Sequence, residues 1–299
     1  MIFSMNSVSS IIICFYPEME KVNRLIKIIE SDVDQIIILN NGGLDINSLA
    51  VESGKVRVES KDKNIGIAAA LNVGCDIAIR CGCRFIVSFD QDSTPGKNMI
   101  PNLVKEYLTH EATGQKVAAV GPQLIDVRNG QPAFIPFVKF TSYWYEEWVE
   151  EGTHPVSQLI TSGCLVNLGV WADGHKFNEE LFIDFVDNNW CWRVIKKGYV
   201  ILGTNRANMA HEISDQITKK NRYSLNRYGS TRRYFQARNA VHHIFYEDLL
   251  LAQKLYVLKS LVAMLVSILF SDLKSMQSLR QYIRGVFHGV IGRAGAFHG

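Results

Sequence analysis

The chain has 299 residues, 47% hydrophobic and 20% charged, with 22 Gly and seven Pro; that is one large domain or two small ones, and not a collagen-like, low-complexity or largely disordered chain. The formal net charge of +3 hides two unlike parts. Residues 1–192 carry 15 Lys and Arg against 24 Asp and Glu, a net of −9, whereas residues 193–299 carry 17 against five, a net of +12. Such an asymmetry points to an anionic partner for the basic end: nucleic acid, a phosphorylated ligand or a membrane surface.

Val8–Phe15 is a continuous Ile-rich run, the pattern of a strand buried on both faces. It lacks the basic region and small-residue cleavage site of a leader. Glu18–Ile29 spaces Val22, Leu25, Ile26 and Ile29 along one helix face. Gln35–Leu39 reads as a second strand ending in Asn40-Asn41-Gly42-Gly43, and the alternating Lys55–Glu59 as a third. The Ala-rich Ile65–Arg80 reads as a helix. Arg84–Phe89 reads as a fourth strand, ending in Asp90-Gln91-Asp92, followed by a helix over Asn98–His110 and a fifth strand over Lys116–Gly121. Strands alternating with helices predict a parallel α/β sheet, which binds ligands beyond the carboxyl ends of its strands. The clusters at 40–43 and 90–92 both lie there. Residues 130–165 are less regular, mixing aromatic side chains with Glu146, Glu147, Glu150 and Glu151. Val186–Lys197 reads as a helix, Tyr199–Leu202 as a strand, and the chain from Arg222 onward as helical throughout. The six Cys have neither disulfide-framework nor zinc-site spacing, so the chain reads as reduced and cytoplasmic.

Asp90 and Asp92, one residue apart after a buried strand, bring two hard oxygen ligands to one loop. Such a pair suits Mg²⁺ or Mn²⁺ with positions left open for phosphate oxygens. The other use of Asp-Gln-Asp-Ser-Thr-Pro is turn chemistry and a helix cap.

The blocks Asn40-Asn-Gly42, Asn64-Ile-Gly66 through Asn72-Val-Gly74, Phe89-Asp-Gln-Asp92, Ser162-Gly-Cys164 and Phe182-Ile-Asp-Phe-Val-Asp187-Asn-Asn-Trp-Cys-Trp-Arg193 occur in this order. Together they resemble the inverting glycosyltransferase family 2 over residues 8–215. Arg232-Arg-Tyr-Phe-Gln-Ala-Arg238-Asn239 further resembles the bacterial rhamnosyltransferases of that family. The resemblance implies a GT-A fold, an α/β architecture with a Rossmann-like, mainly parallel sheet and here a C-terminal helical extension. It divides the chain into a catalytic domain over 1–215 and a basic helical region over 216–299.

The resemblance also implies roles. Asn40 and Asn41 contact the nucleotide base, with Asn41 standing where many relatives have Asp; an Asn-Gly turn is the structural alternative. Asn64, Gly66 and Asn72 line the nucleotide pocket, although Asn72 would equally hold a neighbouring loop. Asp90, Gln91 and Asp92 hold the ribose and a metal bridging the diphosphate, with Asp92 the direct ligand and His211 the third. Gly163 lies beside the donor. Asp187 matches the base that takes the acceptor's proton; it would also serve as a helix cap. The usual Glu before it is Val186, and the usual Asp after it is Asn189. Asp184 is the second candidate base or an acceptor ligand.

Residues 216–246 carry seven Lys or Arg and no Asp or Glu. They read as a strap over the donor diphosphate, for which the resemblance favours Arg232 and Arg238. Leu255–Phe270 is strongly apolar, but at 16 residues with Lys259 inside it is short for a membrane span. An amphipathic helix at a membrane surface, with basic 274–293 facing anionic lipid, and a core helix at a homodimer interface both remain open. The expected reaction moves a sugar, rhamnose from dTDP-rhamnose, to a lipid-linked saccharide at the inner face of the membrane. The rivals are a sugar nucleotidylyltransferase, which lacks its Gly-rich first loop here, and a catalytically altered nucleotide- or membrane-binding module. Nucleic acid is not expected as a partner, since no reading motif accompanies the charge.

Overall fold

The run of Ile after Val8 forms β1 (Val8–Cys14), buried along its whole length in a computed structural model of the protein. The structure describes residues 6–49, 54–127, 133–148, 151–210, 216–220, 223–271 and 275–297. Two units emerge. The first comprises Met1–Lys139, Glu147–Asn178 and Asp187–His211, and the second Phe140–Glu146, Glu179–Val186 and Glu212–Gly299. This differs from a single cut after residue 215, because two stretches of the earlier chain group with its basic end.

In the first unit α1 (Met19–Ile29), β2 (Gln35–Asn40), β3 (Val56–Ser60), α2 (Ile67–Arg80), β4 (Phe85–Asp90), β5 (Thr94–Pro95), α3 (Met99–Glu111) and β6 (Val117–Asp126) follow β1. Then come β7 (Ala133–Phe134), β8 (Phe137–Phe140), β9 (Tyr145–Trp148), β10 (Thr153–Val156), β11 (Leu165–Asn167), α4 (Leu168–Ala172), α5 (Val186–Lys196) and β12 (Val200–Ala210). The sheet order is β10-β12-β6-β11-β4-β1-β2-β3, with β5 on β12 and β7 on β6. β3, β2, β1 and β4 run parallel, as do β6 and β12. β11 is inserted antiparallel between β4 and β6. Ile12, Ile36, Ile38, Val87 and Phe89 pack with Leu25 and Ile26 of α1 and Leu103 of α3. The alternate face of β1 meets α2, where Gly74 permits close approach; a Cβ there would lie 2.6 Å from Ile11 Cδ1. Burial on both faces explains the unbroken apolar strands.

Two strands outrun the sequence reading. β6 continues to Asp126 and β12 to Ala210, because their ladder resumes past a register shift between Thr204 and Asn208. Polar residues in that irregular stretch hide the continuation from a periodicity argument.

The second unit contains the hairpin of β13 (Gln216–Lys220) and β14 (Tyr223–Arg227), then α6 (Ser230–Tyr246), α7 (Leu251–Ser271) and α8 (Ser275–Val290). The expected all-helical end therefore begins at Ser230, not Arg222. α6 and α8 touch through Gly285 and Gly289. A Cβ on Gly285 would lie 2.4 Å from the Tyr234 carbonyl oxygen, and one on Gly289 2.7 Å from that of Arg238. Tyr234 Oη and His288 Nδ1 lie 2.8 Å apart across the same seam.

α7 has 21 residues rather than 16, so its length alone does not exclude a membrane span. It is two-faced. Ala252, Val257, Leu261 and Ile268 are buried, whereas Leu251, Leu255, Leu258, Val262, Val266 and Leu269 form an exposed stripe. The inner face is also anchored by polar contacts, Arg233 Nη2 donating to Ser267 Oγ at 2.7 Å and Tyr282 Oη to the Leu261 carbonyl at 3.1 Å.

The α6–α8 seam has no room for a side chain at Gly285. Gly285→Ala should lower the unfolding free energy by about 1–3 kcal/mol despite alanine's better helix propensity, measured by denaturant titration.

Candidate active site

The parallel strands stop in one layer. β1 pairs Ile13 with Asp90 and Cys14 with Asn40, and β2 pairs Asn40 with Ser60. The loops after β1, β2 and β4 therefore leave the sheet side by side. Three hydrogen bonds tie them: Asn41 N–H to the Cys14 carbonyl at 2.8 Å, Tyr16 N–H to the Gly42 carbonyl at 2.7 Å, and Phe15 N–H to Gln91 Oε1 at 2.8 Å. Gly43, at φ +71, lies under the Tyr16 ring, where a Cβ would come within 2.4 Å of Cδ1.

The loop asparagines are engaged with the protein. Asn40 Oδ1 accepts from Gly42 N–H at 3.1 Å and Leu44 N–H at 3.3 Å, the geometry of a side-chain-closed turn. Asn41 is 2% exposed. Its Nδ2 donates to Asn64 Oδ1 at 3.0 Å, and its Oδ1 accepts from Ile65 N–H at 2.9 Å. Asn64 Oδ1 also accepts from Gly66 N–H at 2.8 Å, and Gly66, at φ +85, caps α2. Asn40, Asn41, Asn64 and Gly66 thus shape the loop pair, and the buried Asn41 amide is turned to Asn64 and Ile65 rather than to a free edge.

The loop after β4 is braced by hydroxyls. Asp90 N–H donates to Ser162 Oγ at 3.1 Å, and that Oγ lies 2.8 Å from Ser93 Oγ. Ser88 Oγ donates to the Thr161 carbonyl at 2.7 Å, and Gly163 N–H to the Ser88 carbonyl at 2.7 Å. Gly163 sits at φ +81 with Met209 and Pro122 about its Cα, so it packs this bracket. Asp92 is exposed and Asp90 half-buried. β5 then pairs Thr94 with Ala210 at the end of β12. His211 lies outside the described residues. Two carboxylates on one loop suit a hard cation that shares its remaining positions with phosphate oxygens. Among the described residues no cluster of three metal-binding side chains occurs.

Asp187 lies in the first turn of α5, its Oδ1 accepting from Asn188 N–H at 2.8 Å. It borders a small apolar cavity with Leu159, Thr161, Cys164, Phe177, Trp190 and Cys191. The Thr161–Cys164 segment therefore links the cavity to the bracket under Asp90. Burial pushes the Cys164 and Cys191 thiols far above their ordinary value, and Asp187 raises both further. Burial likewise raises Cys14 to about 12, so these cysteines are inert core thiols.

Asp184 and the two arginines belong to the second unit. Arg232 Nε and Nη2 donate to the Asp184 carboxylate at 3.3–3.4 Å. Arg238 is 1% exposed. Its Nε donates to Asn239 Oδ1 at 2.9 Å and its Nη2 to the carbonyls of Glu180 and Leu181 at 3.1 and 2.7 Å, while Nη1 donates to the Gly295 carbonyl. These bonds correct the reading of Arg238 as a phosphate ligand: its fork is spent on backbone carbonyls. Phe182, Asp184 and Phe185 all have φ between +61 and +66, a conformation that costs non-glycine residues of order 1–3 kcal/mol each.

The sequence is similar to known transferases. Residues 10–151 match the model of Glycosyl transferase family 2. The chain is 30% identical over 240 residues to the dTDP-rhamnosyl transferase RfbF of Shigella flexneri, covering 79% of each chain. The chain belongs to glycosyltransferase family 2. It is a glycosyltransferase, rhamnosyltransferase-like in sequence. Its fold is GT-A with a helical C-terminal region. TarS 1–349 of S. aureus, solved in complex with UDP-GlcNAc, superposes with a TM-score of 0.55 at 15% identity, over 96% of this chain and 81% of that one. GalNAc-T7 with UDP, GalNAc and Mn²⁺ gives 0.57 at 10% identity over 69% of this chain, which spans only 44% of that longer protein.

Within the transferase's first unit, the structure brings together Asn40, Asn41, Asn64, Gly66, Gln91 and the Asp90–Asp92 loop. Asn72 stands apart. It is 5% exposed; its Oδ1 accepts from Trp171 Nε1 and Phe177 N–H, both at 3.0 Å, and its Nδ2 donates to the Phe177 carbonyl at 2.9 Å. It holds the loop before α5. Ser88 and Ser93 were missed by sequence reasoning, since isolated serines carry no spacing signal, and Asn239 drew notice only inside a longer motif.

Removing the Asn72 amide orphans three buried polar groups. Asn72→Ala should lower unfolding free energy by about 2–4 kcal/mol. Nucleotide affinity of the folded enzyme should change less than about threefold, compared by denaturant titration and calorimetry.

Proposed function

We propose that this transferase moves L-rhamnose from dTDP-rhamnose to a hydroxyl of a lipid-linked oligosaccharide in bacterial surface polysaccharide (O-antigen-like) assembly. The observation that carries the reading is the 30% identity, over 79% of each chain, to the dTDP-rhamnosyl transferase RfbF. The carboxylates delivered at the end of β4 support it.

The donor's nucleotide lies against the loops of Asn40, Asn41, Asn64 and Gly66, with Gln91 and Gly163 in the same loop system and Asp90 toward the ribose. The Asn41–Asn64 contact fixes the shape of that pocket in place of a carboxylate. A divalent metal, Mg²⁺ or Mn²⁺, would be held by Asp92, Asp90 and His211 and would neutralise charge on the departing diphosphate. Arg232 adds a positive charge for the diphosphate.

Asp187 accepts the proton of the acceptor hydroxyl. The hydroxyl oxygen forms a bond to the anomeric carbon as the bond from that carbon to the diphosphate oxygen breaks. Its electron pair leaves with dTDP, and the single displacement inverts the anomeric configuration. Asp187 borders the small apolar cavity, and a carboxylate within hydrogen-bond reach of the acceptor hydroxyl takes its proton. Asp184 serves the acceptor.

The acceptor's lipid places the enzyme at the cytoplasmic face of the membrane. The exposed stripe of α7 and its cationic flanks, Lys254 and Lys259, support docking on an anionic bilayer. α7 and α8 carry no acidic residue, so a second copy meeting this face would oppose like charges.

Asp187→Asn should cut transfer about 10²- to 10⁴-fold while dTDP still binds; retained transfer would remove Asp187 as the base. Asp92→Asn should abolish the rise in melting temperature that dTDP-rhamnose gives with Mn²⁺. In vesicle co-sedimentation, Val262→Glu should weaken binding to phosphatidylglycerol vesicles about tenfold or more. Loss of a dimer by light scattering, with vesicle binding unchanged, would favour the homodimer instead.

A further inference from the structure

The turn that carries Asp184 is braced by α6. Phe182, Asp184 and Phe185 occupy left-handed backbone, three non-glycine residues within four positions. Such a turn reverts unless its surroundings over-determine it. α6 supplies that restraint in consecutive layers. Asn239 Nδ2 lies 3.0, 2.8 and 2.9 Å from the carbonyl oxygens of Leu181, Ile183 and Asp184. Arg238 donates to the carbonyls of Glu180 and Leu181. The Phe235 ring stacks on Phe182 with centroids 5.0 Å apart, and the His243 ring lies 5.2 Å from that of Phe185. His243 Nδ1 in turn is 2.7 Å from the Asn239 carbonyl.

We propose that Arg238 and Asn239 are positioning residues that hold the 180–185 turn in the form that sets Asp184 and launches α5 at Asp187. This rests on the reading of these carboxylates as the acceptor's base and ligand. The polar investment is the reason to assign a positioning role beyond packing. Against α8, α6 docks mainly by close approach at Gly285 and Gly289, with a side-chain hydrogen bond between Tyr234 Oη and His288 Nδ1. By contrast, a fully buried guanidinium and a buried amide are directed to main-chain oxygens of one strained turn, with the Gly295 carbonyl and Asn239 Oδ1 as the further acceptors of Arg238. Main-chain contacts fix backbone direction whatever side chains the turn carries. The step affected is proton removal from the acceptor, because the turn leads directly into Asp187. The donor's nucleotide, in the proposed reading, lies against loops of the first unit.

Asn239→Asp keeps the shape and removes the amide donors. Transfer kcat should fall about 10- to 100-fold while the donor KM stays within about twofold. Amide hydrogen exchange should accelerate at 181–186 and not in β1, β2 or β4. Arg238→Lys, which keeps the charge and loses the fork, should give the same pattern more weakly, and it carries the test if Asn239→Asp does not fold. Unchanged kcat and unchanged exchange at 181–186 would overturn the proposal, as would a donor KM that rises in step with the loss of kcat. If the wild type transfers no sugar from any nucleotide donor, the activity reading fails instead. The exchange result then decides the positioning claim by itself.

Discussion

The register of β1 against its two neighbours governs what this protein can do. A parallel strand covered on both faces must pair every peptide group along its length, so its chemistry is confined to where the ladder ends. Ile13 opposite Asp90 and Cys14 opposite Asn40 make three strands end in the same layer. A shift of one residue would turn Ile11, Ile12 and Ile13 to the wrong faces and separate these loops. The polar loops are therefore assembled by the hydrophobic demand of the sheet, not by attraction among themselves.

Once released from the sheet, the loops are fixed largely by buried amides. Asn41 joins residues 23–25 positions away, Asn72 joins residues 99–105 away, and Asn239 joins residues 55–58 away. An amide offers a donor and an acceptor on one rigid plane, so it ties two main-chain segments without burying a charge. A carboxylate at these positions would lack the donor and would bear a desolvation cost. An amide at Asn41 makes sense in this light, since the partners of its Nδ2, Asn64 Oδ1 and the Gly66 carbonyl, are both acceptors.

The sequence made the strand ends legible because continuous Ile and Val runs leave little alternative to a buried strand. Asp90, Asp92 and Asn40 then followed from position alone. The residues that support them were not legible. Ser162 reaches Asp90, and Asn239 reaches Leu181, through hydrogen bonds that link distant parts of the chain, and no local pattern encodes them. Local patterns also misjudged elements whose hydrophobicity is broken. β12 crosses Thr204–Asn208, the basic β14 looked like the start of a helix, and the ends of α7 lie outside its densest apolar run. Arg238 was misread for a related reason. Its charge suggested an anion, but a guanidinium satisfies carbonyl dipoles equally well, and only burial distinguishes the two uses.

Burial also revises what the basic end of the chain means. Arg233 and Arg238 are each 1% exposed, the first bonded to Ser267 and Gln236 and the second to backbone carbonyls. Arg232 is paired with Asp184. Arg233 and Arg238 act within the fold and Arg232 is offset by its carboxylate partner, so the three contribute less to an outward field than a count of +12 implies. Lys259 and Arg280, by contrast, are exposed beside the apolar stripes of α7 and α8. Exposed charge thus shares its helices with the exposed Leu258, Val262, Ile283 and Phe287. Apolar surface and exposed cations on the same elements are what the proposed lipid docking requires, since a hydrophobic stripe supplies depth of insertion and the cations supply attraction at longer range.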